Sequence, residues 1–277
     1  LSVTVAAGPV RSVRVLSNVQ LLPRTWLLSF EEPRLASRAA PGQFLMLHLP
    51  GLRDPLLPRP FAVWDTDGAR VEVLYQVVGK GTALLASLKA GDELHALGPL
   101  GNGFRLPGPE VSCLFVAGGI GIASLFWAAK RCAKAGNRTS LLYGAKTREE
   151  ILRLEGLERM GARIRLATED GSLGHRGLVT DLLNERLAGW ESGGRRAELA
   201  FVCGPPGMLR RAASLLVQAR VDGQVSLEAR MACGYGVCQG CVARTLDSRA
   251  DGGWTYRKVC TEGPVFGVSE VDWSGIE

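Results

Sequence analysis

The chain has 277 residues, more than one ordinary domain needs, and its 46% apolar and 22% charged residues place it among folded globular proteins rather than disordered or fibrous ones. Its net charge of +6 is dispersed as single basic residues and pairs (Lys130-Arg131, Arg195-Arg196, Arg210-Arg211, Arg257-Lys258), never as a run that tracks a phosphate backbone, so no nucleic-acid partner is expected. Seven cysteines in a chain whose first fifteen residues, LSVTVAAGPVRSVRV, lack the pattern of a secretory signal argue against a disulfide framework and for metal or redox work in the cytoplasm.

From Val10 to about Leu106 the chain reads as short β-rich runs broken by turns: RSVRVLS, RTWLLSFE, QFLMLHLP, PFAVWD, RVEVLYQVVG and DELHALG, punctuated by Pro41-Gly42, Asp67-Gly68 and Gly91-Asp92. About six such strands in under a hundred residues predict a small antiparallel β-barrel over residues 1–107. From Val111 the rhythm becomes strand then helix. VSCLFVA leads into ASLFWAAKRCAKAG, TSLLYGAK into REEILRLEGLERMG, RIRLATE into LVTDLLNERLAG, and ELAFVCG into PPGMLRRAASLLVQA. Repeated βα units predict an α/β nucleotide domain with an open parallel sheet over residues 108–222. Thr147 with Glu150 suggests a capping box, and Pro205 and Pro206 suit a helix's first turn. The nineteen uncharged residues from Val111 to Ala129 approach a membrane span in length, but three glycines and two serines interrupt them. They read as a buried strand, a glycine turn and a packed helix, and no membrane is expected.

Residues 223–277 are rich in cysteine and glycine, poor in apolar mass, and end in a hairpin through Asp251-Gly252-Gly253; a small domain of this kind needs a metal centre to fold. Cys233, Cys238 and Cys241 follow a Cys-x4-Cys-x2-Cys pattern, and Cys260 follows after eighteen intervening residues, the plant-type [2Fe–2S] arrangement. Three thiolates from one loop reach a small cluster and the fourth arrives on a returning strand. Gly234, Gly236 and Gly240 let backbone N–H groups approach the sulfurs. A zinc ribbon would need a second Cys-x2-Cys knuckle. Cys113 and Cys132 read as core residues.

Gly118, Gly119 and Gly121 lie in a turn between a strand and a helix, where phosphate approaches backbone N–H groups at a positive helix end. Cys203, Gly204 and Pro205 stand at the end of a later strand, the edge where open α/β sheets bind ligands; Cys203 is either a buried thiol or a neighbour of a nicotinamide. In the barrel, Gly79, Gly81 and Thr82 open a short helix as a second candidate pyrophosphate cradle. Arg59 is either its countercharge or a surface ion-pair residue, and Lys80 reads as solvated. His48, His95 and His175 are the only histidines and read as surface or strand residues, so no acid–base or nucleophilic centre is expected.

This order of parts resembles the ferredoxin–NADP reductase superfamily, and within it the electron-transfer subunits of NAD-dependent dihydroorotate dehydrogenase. The resemblance spans essentially the whole chain and rests on RPFAV, LYQVVGKGT, LGPLGNGF, AGGIGIASL, YGAKT, CGPPGML, MACGYGVCQGC and KVCTEGPVF. It implies FAD in the barrel, with Arg59, Pro60, Phe61 and Ala62 lining the flavin, Leu74, Tyr75 and Gln76 holding its linking chain, and Gly81 and Thr82 facing the pyrophosphate. It also implies NAD at the glycine turns and an FMN-binding catalytic subunit as partner, in a heterotetramer of two plus two. Two positions depart from the family pattern. Ala62 stands where a serine or threonine is common, and Ala123-Ser124 follow the glycine turn where proline is frequent, Ser124 being able to cap a helix. Similar architectures occur in small subunits of NAD(P)H-linked sulfide dehydrogenases or transhydrogenases, which often alter a cluster ligand, and in oxygenase reductases.

Overall fold

A computed structural model describes residues 10–51, 54–189 and 198–275. The pair Arg195-Arg196 and most of the stretch read for a signal lie outside them. The chain forms two compact units.

The first unit takes the described part of Leu1–Phe104 together with Glu228–Val242 and Lys258–Val265. In chain order it contains β1 (Arg11–Leu22), β2 (Thr25–Glu31), α1 (Pro33–Arg38), β3 (Phe44–His48), β4 (Arg59–Ala62), β5 (Asp65–Asp67), β6 (Arg70–Gln76), α2 (Lys80–Ala86) and β7 (Glu93–Leu100). The seven strands, one more than expected, form a single antiparallel sheet in the order β4-β3-β7-β1-β2-β6-β5. β4 pairs with β3 at one edge and β5 with β6 at the other, and residues 59–67 connect the two edges along the chain. The sheet buries Leu28, Phe30, Leu45, Val71 and Val73.

The second unit takes Arg105–Leu227, Ala243–Arg257 and Phe266–Glu277. It runs through β8 (Ser112–Gly118), α3 (Ile122–Lys134), β9 (Arg138–Ala145), α4 (Glu155–Arg159), β10 (Arg163–Thr168), β11 (His175–Arg176), α5 (Val179–Ala188), β12 (Glu198–Cys203), α6 (Pro206–Gln218) and β13 (Asp222–Ser226). The hairpin of β14 (Val242–Leu246) and β15 (Trp254–Lys258) follows, then β16 (Val265–Gly267) at the edge of the large sheet. That sheet has the order β11-β10-β9-β8-β12-β13-β16. Its β8 to β13 pairings are parallel, and buried strands such as SCLFVAG carry unbroken apolar runs for that reason. Phe115 and Phe201 stack at 4.6 Å across the central β8–β12 pair. The chain winds outward from β8 through β9 and β10, then returns to start again at β12, so the topological switch point lies between β8 and β12.

By compactness Glu228–Val242 and Lys258–Val265 group with the first unit, and Ala243–Arg257 and Phe266–Glu277 with the second. Three local expectations are corrected. The helix expected over REEILRLEGLERMG is reduced to a single 3-10 turn and the short α4. Ile151 is extended, and the buried Leu152 gives its N–H to the Tyr143 hydroxyl rather than to a helical carbonyl. The Thr147–Glu150 capping box does not form: Thr147 makes no capping bond, and the Glu150 carboxylate accepts from the Lys146 N–H. Ser124 lies inside α3, whose N-cap is Gly121. Among the described residues no helix is long and apolar enough to cross a membrane.

Candidate functional site: a cysteine cluster, a cleft and two glycine turns

The four cysteines all lie in the first unit, where Cys233 interacts with Cys238, and Cys260 with both Cys241 and Cys233. Among the described residues no three or more His, Cys, Asp or Glu side chains converge on a single-metal position. Four neighbouring thiolates are what a two-iron cluster asks for, since each iron takes two protein thiolates and shares the bridging sulfides. Burial raises the Cys233 thiol, but bonds from the Cys238, Tyr235 and Val237 N–H groups and from the Cys238 thiol outweigh it and bring the group down to about 6. Those N–H groups face the sulfur because Gly234 and Gly236 take positive φ, 82° and 89°, and curl the loop around it. Burial raises Cys260 to about 12, with the neighbouring Cys241 adding to the rise and the Gly236 N–H opposing it. A soft donor set ringed by N–H groups fits an iron–sulfur cluster.

The loop rests on the barrel. A Cβ on Gly234 would stand 2.5 Å from Met46 Cγ and 3.3 Å from Leu100 Cδ1, so only glycine lets the cysteine loop settle onto β3 and β7. Asn102, just past β7, bonds the segment after Cys260. Met46 and Asn102 had no role in the sequence reading; an asparagine between two glycines in LGPLGNGF was the available signal.

On the same unit Arg59, Phe61 and Gly81 line a shallow cleft with Leu47, His48, Leu49, Pro55, Leu57 and Leu85. Arg59 donates to the Leu57 carbonyl and lays its guanidinium over the start of α2, where a Cβ on Gly81 would stand 3.1 Å from its Nε. Pro60 and Ala62 oppose Met46 and Phe44 in the β3–β4 ladder. Phe61 meets Tyr75 edge-on at 5.7 Å. Leu74 and Tyr75 are buried in β6, whose last residue is Gln76. The Thr82 hydroxyl accepts from the Val78 and Gly79 N–H groups and donates to the Gly79 carbonyl, so it shapes the turn from within. Lys80, expected to be solvated, stays 62% exposed and pairs at the surface with Asp54. His48 and His95 stack at 6.3 Å, and His175 lies 3.7 Å from Asp181.

In the second unit the two glycine turns meet at the switch point. A Cβ on Gly121 would press on the Cys203 carbonyl and stand 2.7 Å from the Gly204 nitrogen; one on Gly118 would meet the Met208 sulfur and stand 3.0 Å from Pro205 Cδ. These glycines are required by packing of one turn on the other. Gly119 differs, with φ of 51° and open space around a would-be Cβ. Cys203 is wholly buried at the end of β12, with no surface open to a ligand, and the turn Gly204-Pro205 carries the backbone past it. Cys113 and Cys132 are free, buried core thiols that hydrogen-bond to one another.

The chain matches two family descriptions: the iron–sulfur cluster binding domain of dihydroorotate dehydrogenase B over residues 228–272, and an oxidoreductase NAD-binding domain over residues 115–214. It is 36% identical over 262 residues to the dihydroorotate dehydrogenase B (NAD(+)) electron transfer subunit of Desulforamulus reducens, covering 94% of this chain and 97% of that one. It is 39% identical over 259 residues to the corresponding subunit of Caldanaerobacter subterraneus subsp. tengcongensis, covering 93% and 96%. Among solved structures it is similar to a NADH-dependent reduced ferredoxin-NADP oxidoreductase, with a TM-score of 0.81 and 27% identity over 95% of this chain and 91% of that one. It shares the fold of ferredoxin-NADP+ reductase from Plasmodium falciparum, at a TM-score of 0.64 and 16% identity over 77% and 95% of the two chains. With whole-length relatives, a matching cluster segment and a matching nucleotide domain, the chain belongs to the electron-transfer subunits of NAD-dependent dihydroorotate dehydrogenase B.

Proposed function

We propose that this chain, working in the cytoplasm, holds a [2Fe–2S] cluster on Cys233, Cys238, Cys241 and Cys260 and FAD in the barrel cleft, and passes to NAD+ electrons that an FMN-binding partner subunit takes from dihydroorotate. When bound, the flavin supplies the exchange between single electrons and the electron pair of a hydride. The observation that carries the reading is the shared unit: the four cysteines are built onto the same barrel whose cleft is lined by Arg59, Phe61 and Gly81.

The chain's own residues orient and shield. Arg59 over Gly81 offers positive charge to a pyrophosphate. Pro60, Phe61 and Ala62 present a flat apolar wall, and Ala62 leaves only a backbone N–H where family members offer a hydroxyl. Leu74, Tyr75 and Gln76 hold the linking chain, while Thr82 keeps the turn before α2 in shape for it. At the switch point Gly119 is the open contact for the nicotinamide dinucleotide, while Gly118, Gly121, Cys203, Gly204 and Pro205 are the packed backbone that holds it in place. The assembly with the catalytic subunit is two plus two, and the domain roles are FAD (1–107), NAD (108–222) and cluster (223–277).

Co-purification with the partner subunit, followed by assay of dihydroorotate-dependent NAD+ reduction, tests the reading. NADH formation by a complex containing FMN, FAD and iron supports it; an FMN-free complex, or none formed from dihydroorotate, sinks it. A second reading, a small subunit of a transhydrogenase, is favoured by the likeness to the NADH-dependent ferredoxin-NADP oxidoreductase. That reading expects NADH-dependent reduction of NADP+ by the complex instead.

A further inference from the structure

The LGPLGNGF stretch that ends β7 places Asn102 against the segment following Cys260. Its Nδ2 donates to the carbonyls of Glu262 (3.1 Å) and Val265 (2.9 Å), its Oδ1 accepts from the Val265 N–H (2.9 Å), and its own N–H donates to the Gly263 carbonyl (2.6 Å). Gly101 permits the approach: a Cβ there would stand 2.5 Å from Pro264 Cδ and 2.7 Å from the Gly263 carbonyl oxygen. The grip passes on to the cysteines. The Glu262 carboxylate accepts from the Lys258 N–H (2.8 Å), closing a turn around Cys260, and the Val259 N–H donates to the Cys241 carbonyl (2.8 Å).

The other end of the grip lies beside the cleft wall. Leu100 opposes Phe44, and Phe44 opposes Ala62, so two strand spacings of about 4.8 Å each separate Ala62 from the β7 end that carries Asn102. A Cβ on Gly234, beside Cys233, would stand 3.3 Å from Leu100 Cδ1. One short stretch therefore meets both cysteine segments and stands in register with the residue beneath the proposed flavin.

We propose that Asn102 is a positioning residue: it clamps the Cys260 segment to β7 and thereby sets the gap between cluster and flavin. A polar clamp suits this task, since four directional bonds fix a segment's position where apolar packing alone lets it slide. The inference rests on the reading of the four cysteines as cluster ligands.

The test uses the full chain loaded with FAD, iron and sulfide, as parent, Asn102→Ala and Asn102→Asp. The near-isosteric Asp variant keeps the acceptor for the Val265 N–H and removes both Nδ2 donors, so it reports even where the Ala variant does not fold. Stopped-flow mixing with NADH reads flavin reduction and cluster reduction separately, and visible circular dichroism reads the cluster's surroundings. The expected result is a changed dichroism spectrum and cluster reduction slowed by about 10- to 100-fold relative to flavin reduction, as for other residues that orient metal ligands. Unchanged spectra with both rates unaltered, or with both falling in proportion, overturn the positioning role. A parent chain that takes up no cluster overturns the reading of the cysteines and the clamp with it.

Discussion

Asn18 shows how one side chain can hold a site it never touches. The Tyr75 hydroxyl donates to Asn18 Oδ1 (3.0 Å), and Asn18 Nδ2 donates to the carbonyls of Leu85 (2.9 Å) in the last turn of α2 and Leu88 (3.2 Å) just beyond it. Removing it leaves a buried phenol and two carbonyls without that partner. Asn18→Ala is expected to lower stability by about 1–3 kcal/mol and to weaken FAD retention by freeing α2, both read by thermal unfolding with and without added FAD. An unchanged melting temperature would refute the role. Burial also pushes the Tyr75 hydroxyl up to about 12, with the Asn18 bond pulling the other way, and burial takes Tyr143 to about 12 as well. The unfolded phenols ionise near the ordinary value of about 10. Between these values the unfolded chain has lost protons that the folded chain keeps, so stability is intact below about 10 and falls as the pH rises toward 12. Phenolate absorbance during alkaline titration should show two of the four tyrosines ionising late, in step with unfolding; early ionisation of all four contradicts it.

At the scale of elements, the glycine turns separate what spacing reveals from what only packing does. A strand–glycine–helix pattern was legible after β8, as was the Pro-rich start of α6, because each is local. Which glycine faces a ligand was not, since that depends on β12 arriving beside β8 from far along the chain. The same limit explains α4: apolar spacing suggested a long helix, but the Tyr143 hydroxyl takes the Leu152 N–H and three neighbouring apolar residues bury together. The packing account yields an ordering. Gly121→Ala drives a Cβ into the Cys203–Gly204 backbone, which cannot yield, and should cost about 1–3 kcal/mol or more. Gly118→Ala meets chiefly the flexible Met208 side chain and should cost less. At roughly 2–4 °C per kcal/mol for a chain of this size, calorimetry resolves the difference. Equal losses, or the reverse order, would mean that the turns do not pack as described.

Across the whole molecule, sequence order and structural membership part company. The cysteine pattern was the most legible feature of the chain because cluster ligation is written in spacing. What it packs on was not legible, because spacing carries no record of packing partners: Glu228–Val242 and Lys258–Val265 group with the barrel unit and the intervening hairpin with the other. The first of these segments carries three cysteines and the second carries Cys260, so bonds from all four to one cluster would staple two separate stretches together. The Cys233–Cys241 loop has little else to hold it: it contains no helix or strand, and Tyr235 and Val237 stand exposed. Its N–H groups at Tyr235, Val237 and Cys238 face the Cys233 sulfur rather than carbonyls. Binding free energy at such a site is folding free energy. Stripping the cluster with an iron chelator should therefore expose those three amides to rapid hydrogen exchange, while Phe115 and Phe201 in the β8–β12 core keep their protection. The Val265 N–H, held by Asn102 rather than by sulfur, should exchange at an intermediate rate. If the loop amides stay protected without iron, the cysteines are held by the protein alone, and the cluster contributes nothing to the fold of the unit that carries it.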